Sequence, residues 1–278
     1  MNIMYCGDNG IRLGLTMSVI SVAKNTPGPI SFFIVTAGLS HKGKTYTPIS
    51  PEYAKRLDDC VKKHSKENSV TLVDASKHFE SIKLSKNAGT RFTPLCMLRL
   101  FADEISAIPE KILYLDCDVI CRKNLQPLYQ TNVENCEFAG ILDRYGKHFF
   151  RKKLLRYDYV NSGVLLLNMK KIRETGLFKR CRKVCTERKM LMPDQSALNK
   201  LAKGKKLLPK KYNCQQPEKN DTVLRHFTTF FKFFPTFRTV TVKPWQQDMM
   251  HRVLKNYEYD SLYLEAKEIT NGIKGENL

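Results

Sequence analysis

The sequence has no long apolar run. Its longest unbroken apolar stretches, such as residues 164–167, fall far short of the roughly 20 residues that a helix needs to cross a bilayer. The first residues also lack a basic segment followed by an apolar one, because Asp8 and Arg12 come soon after a short apolar start. We therefore expect a cytosolic chain without a membrane span, with the inner face of the cell membrane as a second expected location.

Several signatures of enzyme and metal sites are also missing. The turn after the first predicted strand, Gly7-Asp8-Asn9-Gly10, does not match the G-x-G-x-x-G of dinucleotide-binding proteins, and no G-x-S-x-G occurs. The pairs Cys117/Cys121 and Cys181/Cys185 have three intervening residues each and no paired histidines after them, which disfavours a structural zinc site. Nine cysteines, an odd number, fit reduced thiols better than a disulfide framework.

Acidic residues are scarce in one segment. Residues 144–243 contain 26 Lys and Arg against 6 Asp and Glu, whereas the rest of the chain contains 21 of each, so this segment carries the whole net charge of +20. Such a concentration suits nucleic acid, anionic lipid or a phosphorylated substrate. The alternative is a solvated basic face without a dedicated partner.

Short apolar runs alternate with amphipathic segments along most of the chain. This alternation predicts a mostly parallel α/β sheet with helices on both faces. No linker rich in Gly, Ser or Pro divides the chain. Residues 246–278 are predicted to form a helical tail. The predicted strands cover residues 2–6, 30–37, 70–73, 111–115, 138–142 and 159–168, and the predicted helices include residues 51–64, 94–107, 170–189 and 193–202.

The strongest local feature is Asp116-Cys117-Asp118, directly after the apolar run 112–115. In an extended segment, residues two apart point to the same side, so both carboxylates can bind one cation. Carboxylate oxygens suit Mg²⁺ or Mn²⁺. A bare D-x-D also occurs on surfaces by chance, but two carboxylates at the end of a buried strand repel each other unless a positive charge joins them.

Three other polar residues have structural alternatives. Asp8 suits a ribose hydroxyl or a base N–H, but it also suits an Asx turn that starts the next helix. His226 suits metal binding, although a half-buried structural histidine is the commoner case. Asp194, after Pro193, is typical of a helix cap, which would not account for the neighbouring Gln195.

Five motifs, in this order and spacing, resemble glycosyltransferase family eight, which includes bacterial lipopolysaccharide galactosyl- and glucosyltransferases. The similarity extends from residue 1 to about 245. The motifs are Asn2-Ile-Met-Tyr-Cys-Gly-Asp, Leu113-Tyr-Leu-Asp-Cys-Asp-Val, Tyr159-Val-Asn-Ser-Gly-Val-Leu-Leu-Leu-Asn, Asp194-Gln-Ser-Ala-Leu-Asn and Lys243-Pro-Trp.

The resemblance implies a GT-A fold, in which a Rossmann-like mixed sheet is flanked by helices and followed by a short helical C-terminal appendage. It divides the chain into a catalytic domain, residues 1–245, and the tail, 246–278. Within the catalytic domain, about residues 1–120 would form the nucleotide-binding half and 121–245 the donor and acceptor half. The implied reaction moves galactose or glucose from a UDP-sugar to a glycan acceptor, with Mn²⁺ (or Mg²⁺) and retention of anomeric configuration.

The resemblance also assigns roles by position. Asp116, Asp118 and His226 match the metal ligands, and Gln195 and Asp194 match the pair at the reacting face. The nucleotide-binding positions are Cys6, Asp8, Cys117 and Lys243. The donor-sugar positions are Arg99, Asp143, Asn161, Ser162, Asp194 and Gln195.

The chain departs from lipopolysaccharide members of the family in two places. Residues 227–242, rich in Phe, separate His226 from the Lys243-Pro-Trp motif, where relatives have a short connection with Gly. Residues 246–278 lack the basic aromatic end that anchors some relatives, so we expect the basic segment 144–243 to supply contact with an anionic membrane surface and a lipid-carried glycan.

Two other classes of function stay open on the sequence. A basic nucleic-acid-binding protein would use the segment 144–243, but no nucleic-acid motif accompanies it and nucleic acid is not an expected partner. A protein that binds sugar nucleotides without transfer would share the same motifs.

Overall fold

The computed structural model describes residues 1–87, 93–146, 158–232, 234 and 236–272. Its centre is a seven-stranded sheet in the order β10-β8-β9-β6-β1-β2-β5. These strands are β1 (Asn2–Gly7), β2 (Ser31–Thr36), β5 (Ser69–Asp74), β6 (Lys111–Leu115), β8 (Phe138–Leu142), β9 (Val160–Asn168) and β10 (Lys205–Leu207).

The sheet is mixed because β9 runs antiparallel to both of its neighbours, β6 and β8, whereas the other pairs are parallel. Eight of the nine residues of β9 are buried, as expected for a central strand covered on both faces. The parallel strands β1 and β6 are neighbours, so the segments that follow them lie at the same edge of the sheet.

In the part of the chain that the structure describes, three two-stranded pairs lie outside the main sheet. They are β3 (Leu39–His41) with β4 (Lys44–Tyr46), β7 (Val119–Cys121) with β11 (Leu224–His226), and β12 (Phe230–Lys232) with β13 (Arg238–Val240). All three are antiparallel.

Helices cover both faces of the sheet. Within the described residues, the α-helices are α1 (Arg12–Asn25), α2 (Pro51–Lys62), α3 (Ser76–Phe79), α4 (Gln126–Tyr129), α5 (Met169–Thr175), α6 (Leu177–Glu187), α7 (Pro193–Leu201), α8 (Gln247–Met249) and α9 (Asp260–Asn271). Short 3₁₀ helices cover Asn9–Ile11, Glu80–Leu84 and Lys210–Tyr212, a longer one covers Pro94–Glu104, and a π-helix covers Met250–Leu254. No helix in this described part of the chain combines the length and the apolar character of a membrane span.

Two of the predicted helices differ from the structure. The single helix predicted at residues 170–189 is wrong: Gly176 adopts φ +63°, a left-handed conformation that ends α5 before α6 begins. The helix predicted at residues 94–107 is a 3₁₀ helix that ends at Glu104. By contrast, Ser50 caps α2 as predicted, since its hydroxyl accepts a hydrogen bond from the Tyr53 amide at 3.2 Å.

The helical tail packs onto α1. Leu15, Val19 and Val22 of α1 belong to an apolar cluster with residues of β1, β2 and β6. Met17 and Ile20 belong to a second apolar cluster, which includes Leu262 and Ala266 of the tail. This position between sheet and tail explains why α1 is buried along most of its length.

Candidate active site

The acidic motif connects β6 of the main sheet to β7, and the histidine is the last residue of β11, the partner strand of β7. Asp116 directly follows β6, and Asp118 directly precedes β7. Strand β11 pairs with β7 so that His226 lies opposite Val119, the residue after Asp118. This pairing brings together two parts of the chain that are more than a hundred residues apart in sequence.

The side chains of Asp116, Asp118 and His226 form one cluster. His226 Nε2 lies 3.2 Å from Asp118 Oδ1 and 3.8 Å from Asp116 Oδ2, and one potential ligand atom from each residue lies within 4.8 Å of the others. Gly163 makes this approach possible, because a Cβ there would clash with the imidazole ring and lie 2.8 Å from Asp116 Oδ2. Two carboxylates and an imidazole therefore converge.

A chain of hydrogen bonds from a backbone amide fixes the form of the His226 ring. The Gly163 N–H donates to Asn161 Oδ1 at 3.0 Å, which identifies that atom as the oxygen. Asn213 Nδ2 donates to the same oxygen at 2.9 Å, so Asn213 Oδ1 faces His226 Nδ1 at 3.0 Å. In neutral imidazole, Nδ1 therefore carries the hydrogen and the Nε2 lone pair faces the carboxylates, which is the form that binds metal ions.

Lys243 adds a positive charge beside the cluster. Its Nζ forms an ion pair with Asp118 Oδ2 and donates to Phe227 O at 2.9 Å. Burial alone would raise the pKa of Asp118, but the ammonium of Lys243 holds that pKa below its usual range. Asp118 is therefore an anion at neutral pH despite its burial.

Arg99, on the long 3₁₀ helix, connects the acidic motif to the second group of site residues. Its Nη2 donates to Asp116 Oδ1 at 2.9 Å, its Nη1 donates to Ser162 O at 2.6 Å, and its Nε lies 3.3 Å from Asp194 Oδ2. The guanidinium also lies over the Tyr114 ring, 4.0 Å from its centre. One buried cation thus fixes the positions of both carboxylates.

The second group contains Asp143, Asn161, Ser162 and Gln195. Asn161 Nδ2 donates to Asp143 Oδ2 at 2.9 Å, and Gln195 Nε2 lies 3.3 Å from the same oxygen. Gln195 Oε1 accepts from the Ser162 amide at 2.9 Å, from the Ser162 hydroxyl at 3.3 Å and from Asn161 Nδ2 at 3.3 Å. The Gln195 carbonyl oxygen is therefore fully engaged inside the protein.

Asp194 does not cap α7, although it lies in the first turn; the N-cap residue is Met192. Its Oδ2 is buried and accepts no hydrogen bond from the residues that the structure describes, although Arg99 lies close by. Burial raises the pKa of Asp194, and Arg99 opposes that rise. A buried acceptor of this kind is available to a hydrogen-bond donor of a bound molecule.

Cys6, Asp8 and Cys117 lie at the same sheet edge, since Cys6 is in β1 and Asp8 follows it. Burial raises the pKa of Asp8 and raises that of Cys6 to about 12. The pKa of Cys117 also lies well above its usual value, mainly through burial. These thiols stay protonated at neutral pH and are poor nucleophiles. All nine cysteines are free.

The structure adds residues to the site that the sequence did not single out. Asn213 orients His226, Gly163 leaves room for its ring, and Tyr114 donates a hydrogen bond to Asp116 Oδ1 at 2.6 Å. Gly163 and Tyr114 belong to two of the five family motifs, and these motifs indicate that both residues lie near the site. Asn213 lies in an irregular loop and carries no comparable signal.

The donor set fits a divalent cation. Asp116, Asp118 and His226 offer two carboxylate oxygens and one imidazole nitrogen, and Arg99 and Lys243 form ion pairs with the two carboxylates. Three protein ligands leave further coordination positions for a substrate, as in sites where phosphate oxygens complete the coordination of a metal ion.

Comparison with known proteins identifies the family. The sequence model of glycosyl transferase family 8 matches residues 2–248. A lipopolysaccharide 1,2-glucosyltransferase of Escherichia coli is 23% identical over 311 residues, covering 98% of this chain and 88% of that protein. A Haemophilus influenzae protein is 27% identical over 222 residues, which cover 77% of this chain but only 63% of that protein.

Among solved structures, the crystal structure of galactosyltransferase LgtC in complex with donor and acceptor sugar analogues aligns with a TM-score of 0.68. The alignment covers 100% of this chain and 98% of that chain at 19% identity, which demonstrates a shared GT-A fold. With the family match over nearly the whole sequence, the chain belongs to glycosyl transferase family 8.

Proposed function

We propose that the chain is a retaining hexosyltransferase that moves galactose or glucose from a UDP-sugar to a cell-surface glycan as an α-glycoside, with Mn²⁺ as cofactor. The main support is the cluster of Asp116, Asp118 and His226, joined through Arg99 to a second polar group. Relatives named as lipopolysaccharide glucosyl- and galactosyltransferases support the type of reaction and of acceptor.

Asp116, Asp118 and His226 would hold the ion. When bound, a divalent cation would neutralise negative charge on a diphosphate leaving group, which lowers the barrier by several kcal/mol in such sites. We propose Mn²⁺ before Mg²⁺ because one of the three ligands is a nitrogen, whereas Mg²⁺ prefers oxygen ligands and retained waters.

The nucleotide would lie at the edge of the sheet beside β1 and β6. In this proposal Asp8 accepts hydrogen bonds from the uridine, and Cys6 and Cys117 line its binding surface. Lys243, next to Asp118, contributes a cation to the diphosphate. A cation in that place strengthens the binding of UDP and stabilises it as a leaving group.

The sugar would lie between Arg99 and the group formed by Asp143, Asn161, Ser162 and Gln195, with Asp194 as an acceptor for a sugar hydroxyl. Because three donors already occupy the Gln195 carbonyl oxygen, Gln195 is a poor nucleophile toward the anomeric carbon. It would instead stabilise the positive charge that develops there. A covalent intermediate on Asp194 is the competing route.

We therefore propose attack from the face that UDP leaves. The acceptor hydroxyl forms the new bond to the anomeric carbon while the bond from that carbon to the phosphate oxygen breaks. The proton of the hydroxyl passes to the departing phosphate, so no protein base is required. The configuration of the anomeric carbon is retained.

The acceptor proposed is a glycan carried on a lipid, with the enzyme at an anionic membrane face. The support is the 26 basic residues against 6 acidic ones in segment 144–243, of which residues 147–157, 233 and 235 lie outside the described structure. Each cation near an anionic membrane surface contributes about 1 kcal/mol to binding.

The first test measures UDP release from a panel of UDP-sugars without acceptor, with Mn²⁺ and with a chelator. We expect release from one sugar, loss of release with the chelator, and a decrease of roughly a hundredfold or more in Asp118→Ala, because charge stabilisation worth several kcal/mol is lost. The control is Asp248→Ala, an exposed carboxylate in α8, which should leave the rate unchanged.

Three other results would each contradict the proposal. Absence of release from every sugar, together with absence of Mn²⁺-dependent UDP binding, would reject a transferase. Saturable UDP binding without turnover would indicate a sugar-nucleotide-binding protein. Salt-sensitive binding to DNA that does not respond to UDP would favour the nucleic-acid alternative.

A further inference from the structure

The hairpin formed by β12 and β13, residues 230–240, presents an apolar end to solvent. Five of its residues are phenylalanines, all within residues 230–237. Phe234 is 88% exposed, the most exposed large apolar side chain that the structure describes, and Phe237 is 63% exposed. Exposed apolar side chains grouped at one place are typical of surfaces that contact another molecule. We refer to residues 230–240 as the aromatic hairpin.

The base of the aromatic hairpin is well anchored. Before and after it, Phe227 and Val242 are buried in the cluster that the tail completes. The Phe231 ring packs edge-on against Tyr145, with the ring centres 4.6 Å apart, and stacks on Phe237 at 5.6 Å. These packing contacts at the base of the aromatic hairpin position its exposed end in solvent.

The charges of the hairpin all have one sign. Lys232 and Arg238 lie directly opposite each other in the strand pairing, and residues 227–247 contain no Asp or Glu. Like charges in directly opposed positions weaken a strand pair. A partner with negative charge would remove this repulsion.

We propose that the aromatic hairpin inserts into the surface of an anionic bilayer, with Phe234 and Phe237 among the lipid chains near the headgroups and Lys232 and Arg238 on the lipid phosphates. A bilayer offers an anionic layer directly above an apolar one, which matches cations next to exposed phenylalanines. An acidic glycan would satisfy the cations but would leave most of the apolar surface in water.

The hairpin lies in sequence between His226 and Lys243, two residues of the candidate active site, and Lys243 pairs with Asp118 of that site. Insertion of the hairpin would therefore hold the site close to the membrane surface, where a lipid-carried acceptor is found. The inference goes beyond the transfer reaction, and binding to lipid can be measured without donor, metal or acceptor.

The test is sedimentation of the full chain with vesicles, either of phosphatidylcholine alone or of phosphatidylcholine and phosphatidylglycerol in equal parts. We expect binding to the anionic vesicles, and a decrease in partitioning of about tenfold or more in the double variant Phe234→Ser/Phe237→Ser, because two aromatic side chains no longer leave water. The double variant Lys232→Gln/Arg238→Gln should also bind less, and its binding should depend less on salt.

Matched control variants distinguish binding through the aromatic hairpin from nonspecific hydrophobic or electrostatic binding to vesicles. Leu191→Ser/Leu264→Ser removes two other exposed apolar side chains, 63% and 56% exposed, and should bind like the native chain. Lys183→Gln/Arg252→Gln removes two exposed cations elsewhere and should keep most of the binding. Circular dichroism reports whether each variant is folded, and acceptor-free UDP release reports separately on the candidate active site.

Failure of the native chain to bind anionic vesicles would overturn the inference, and so would equal binding by the native chain and the Phe234→Ser/Phe237→Ser variant. Loss of UDP release in that folded variant with unchanged vesicle binding would instead place the hairpin over the substrate. None of these lipid-binding results depends on whether the proposed transferase activity is found.

Discussion

At the scale of single residues, Asn213 orients the imidazole ring of His226. Asn213 accepts a hydrogen bond from His226 Nδ1 and donates one to Asn161. Partners of this kind orient a metal-binding imidazole, and their loss commonly weakens metal binding by about 10–100-fold. We predict that Asn213→Leu lowers the affinity for Mn²⁺ by that factor, measured from the electron paramagnetic resonance signal of free Mn²⁺.

The control for this prediction is Asn132→Leu, an exposed asparagine between α4 and β8. It should bind Mn²⁺ like the native chain. If Asn213→Leu stays folded and keeps native Mn²⁺ affinity, then either His226 is not a metal ligand or its orientation does not depend on Asn213. Mn²⁺ binding by His226→Ala would distinguish these two outcomes.

The sequence indicated some site residues more directly than others. Asp116 and Asp118 are predictable from local pattern alone, because two carboxylates after a buried strand require a positive partner. His226 lies more than a hundred residues away, and only the family resemblance connected it with them. Asn213 was missed because a single polar residue in an irregular loop has neither periodicity nor motif, and its role arises from tertiary contacts.

At the scale of elements, the segment that carries Lys243 is positioned by its neighbour Trp245. The Trp245 ring packs on Gly14 of α1 so closely that a Cβ there would lie within 3.0 Å of three ring atoms. We predict that Gly14→Ala displaces the ring and with it Lys243, and that affinity for UDP in the presence of Mn²⁺ falls several-fold. Isothermal titration calorimetry measures this affinity.

A second substitution tests whether Trp245 carries the effect. In the Gly14→Ala background, Trp245→Leu should restore part of the UDP affinity, because the smaller side chain accommodates the new methyl group. In the native background the same change should lower affinity, because packing is lost. Additive effects of the two changes would contradict a coupling through this contact.

Most elements were predictable from apolar pattern, and the exceptions have physical causes. The alternation of strands and helices indicates the central sheet, and β6 is found at the predicted residues. The antiparallel direction of β9 could not be read from its own residues, since a strand buried on both faces has no alternation to reveal its partners. The break at Gly176 was missed because an isolated glycine in an amphipathic pattern is also tolerated within a helix.

At the scale of the whole molecule, the tail and the candidate site share one apolar cluster. Met17 and Ile20 of α1, Phe227 beside His226, and Leu262 and Ala266 of α9 all belong to it. Displacement of the tail would therefore expose the residues that support both the aromatic hairpin and the strand that carries His226. The division of residues 1–245 into a nucleotide half and a sugar half stays a prediction.

The helical tail buries one face of α9 against α1 and leaves the other face exposed. Leu262 is 8% exposed and Leu264, two residues further along α9, is 56% exposed. We predict that Leu262→Ala lowers the free energy of unfolding by about 2 kcal/mol or more through loss of buried apolar contacts, whereas Leu264→Ala changes it by less than about 0.5 kcal/mol. Urea unfolding of both variants measures the difference.

Equal small effects would indicate that the tail contributes little to the free energy of unfolding, although it covers the buried face of α1. A larger effect of Leu262→Ala, accompanied by weaker Mn²⁺ binding under partly denaturing urea, would connect the tail to the site through Phe227 and His226.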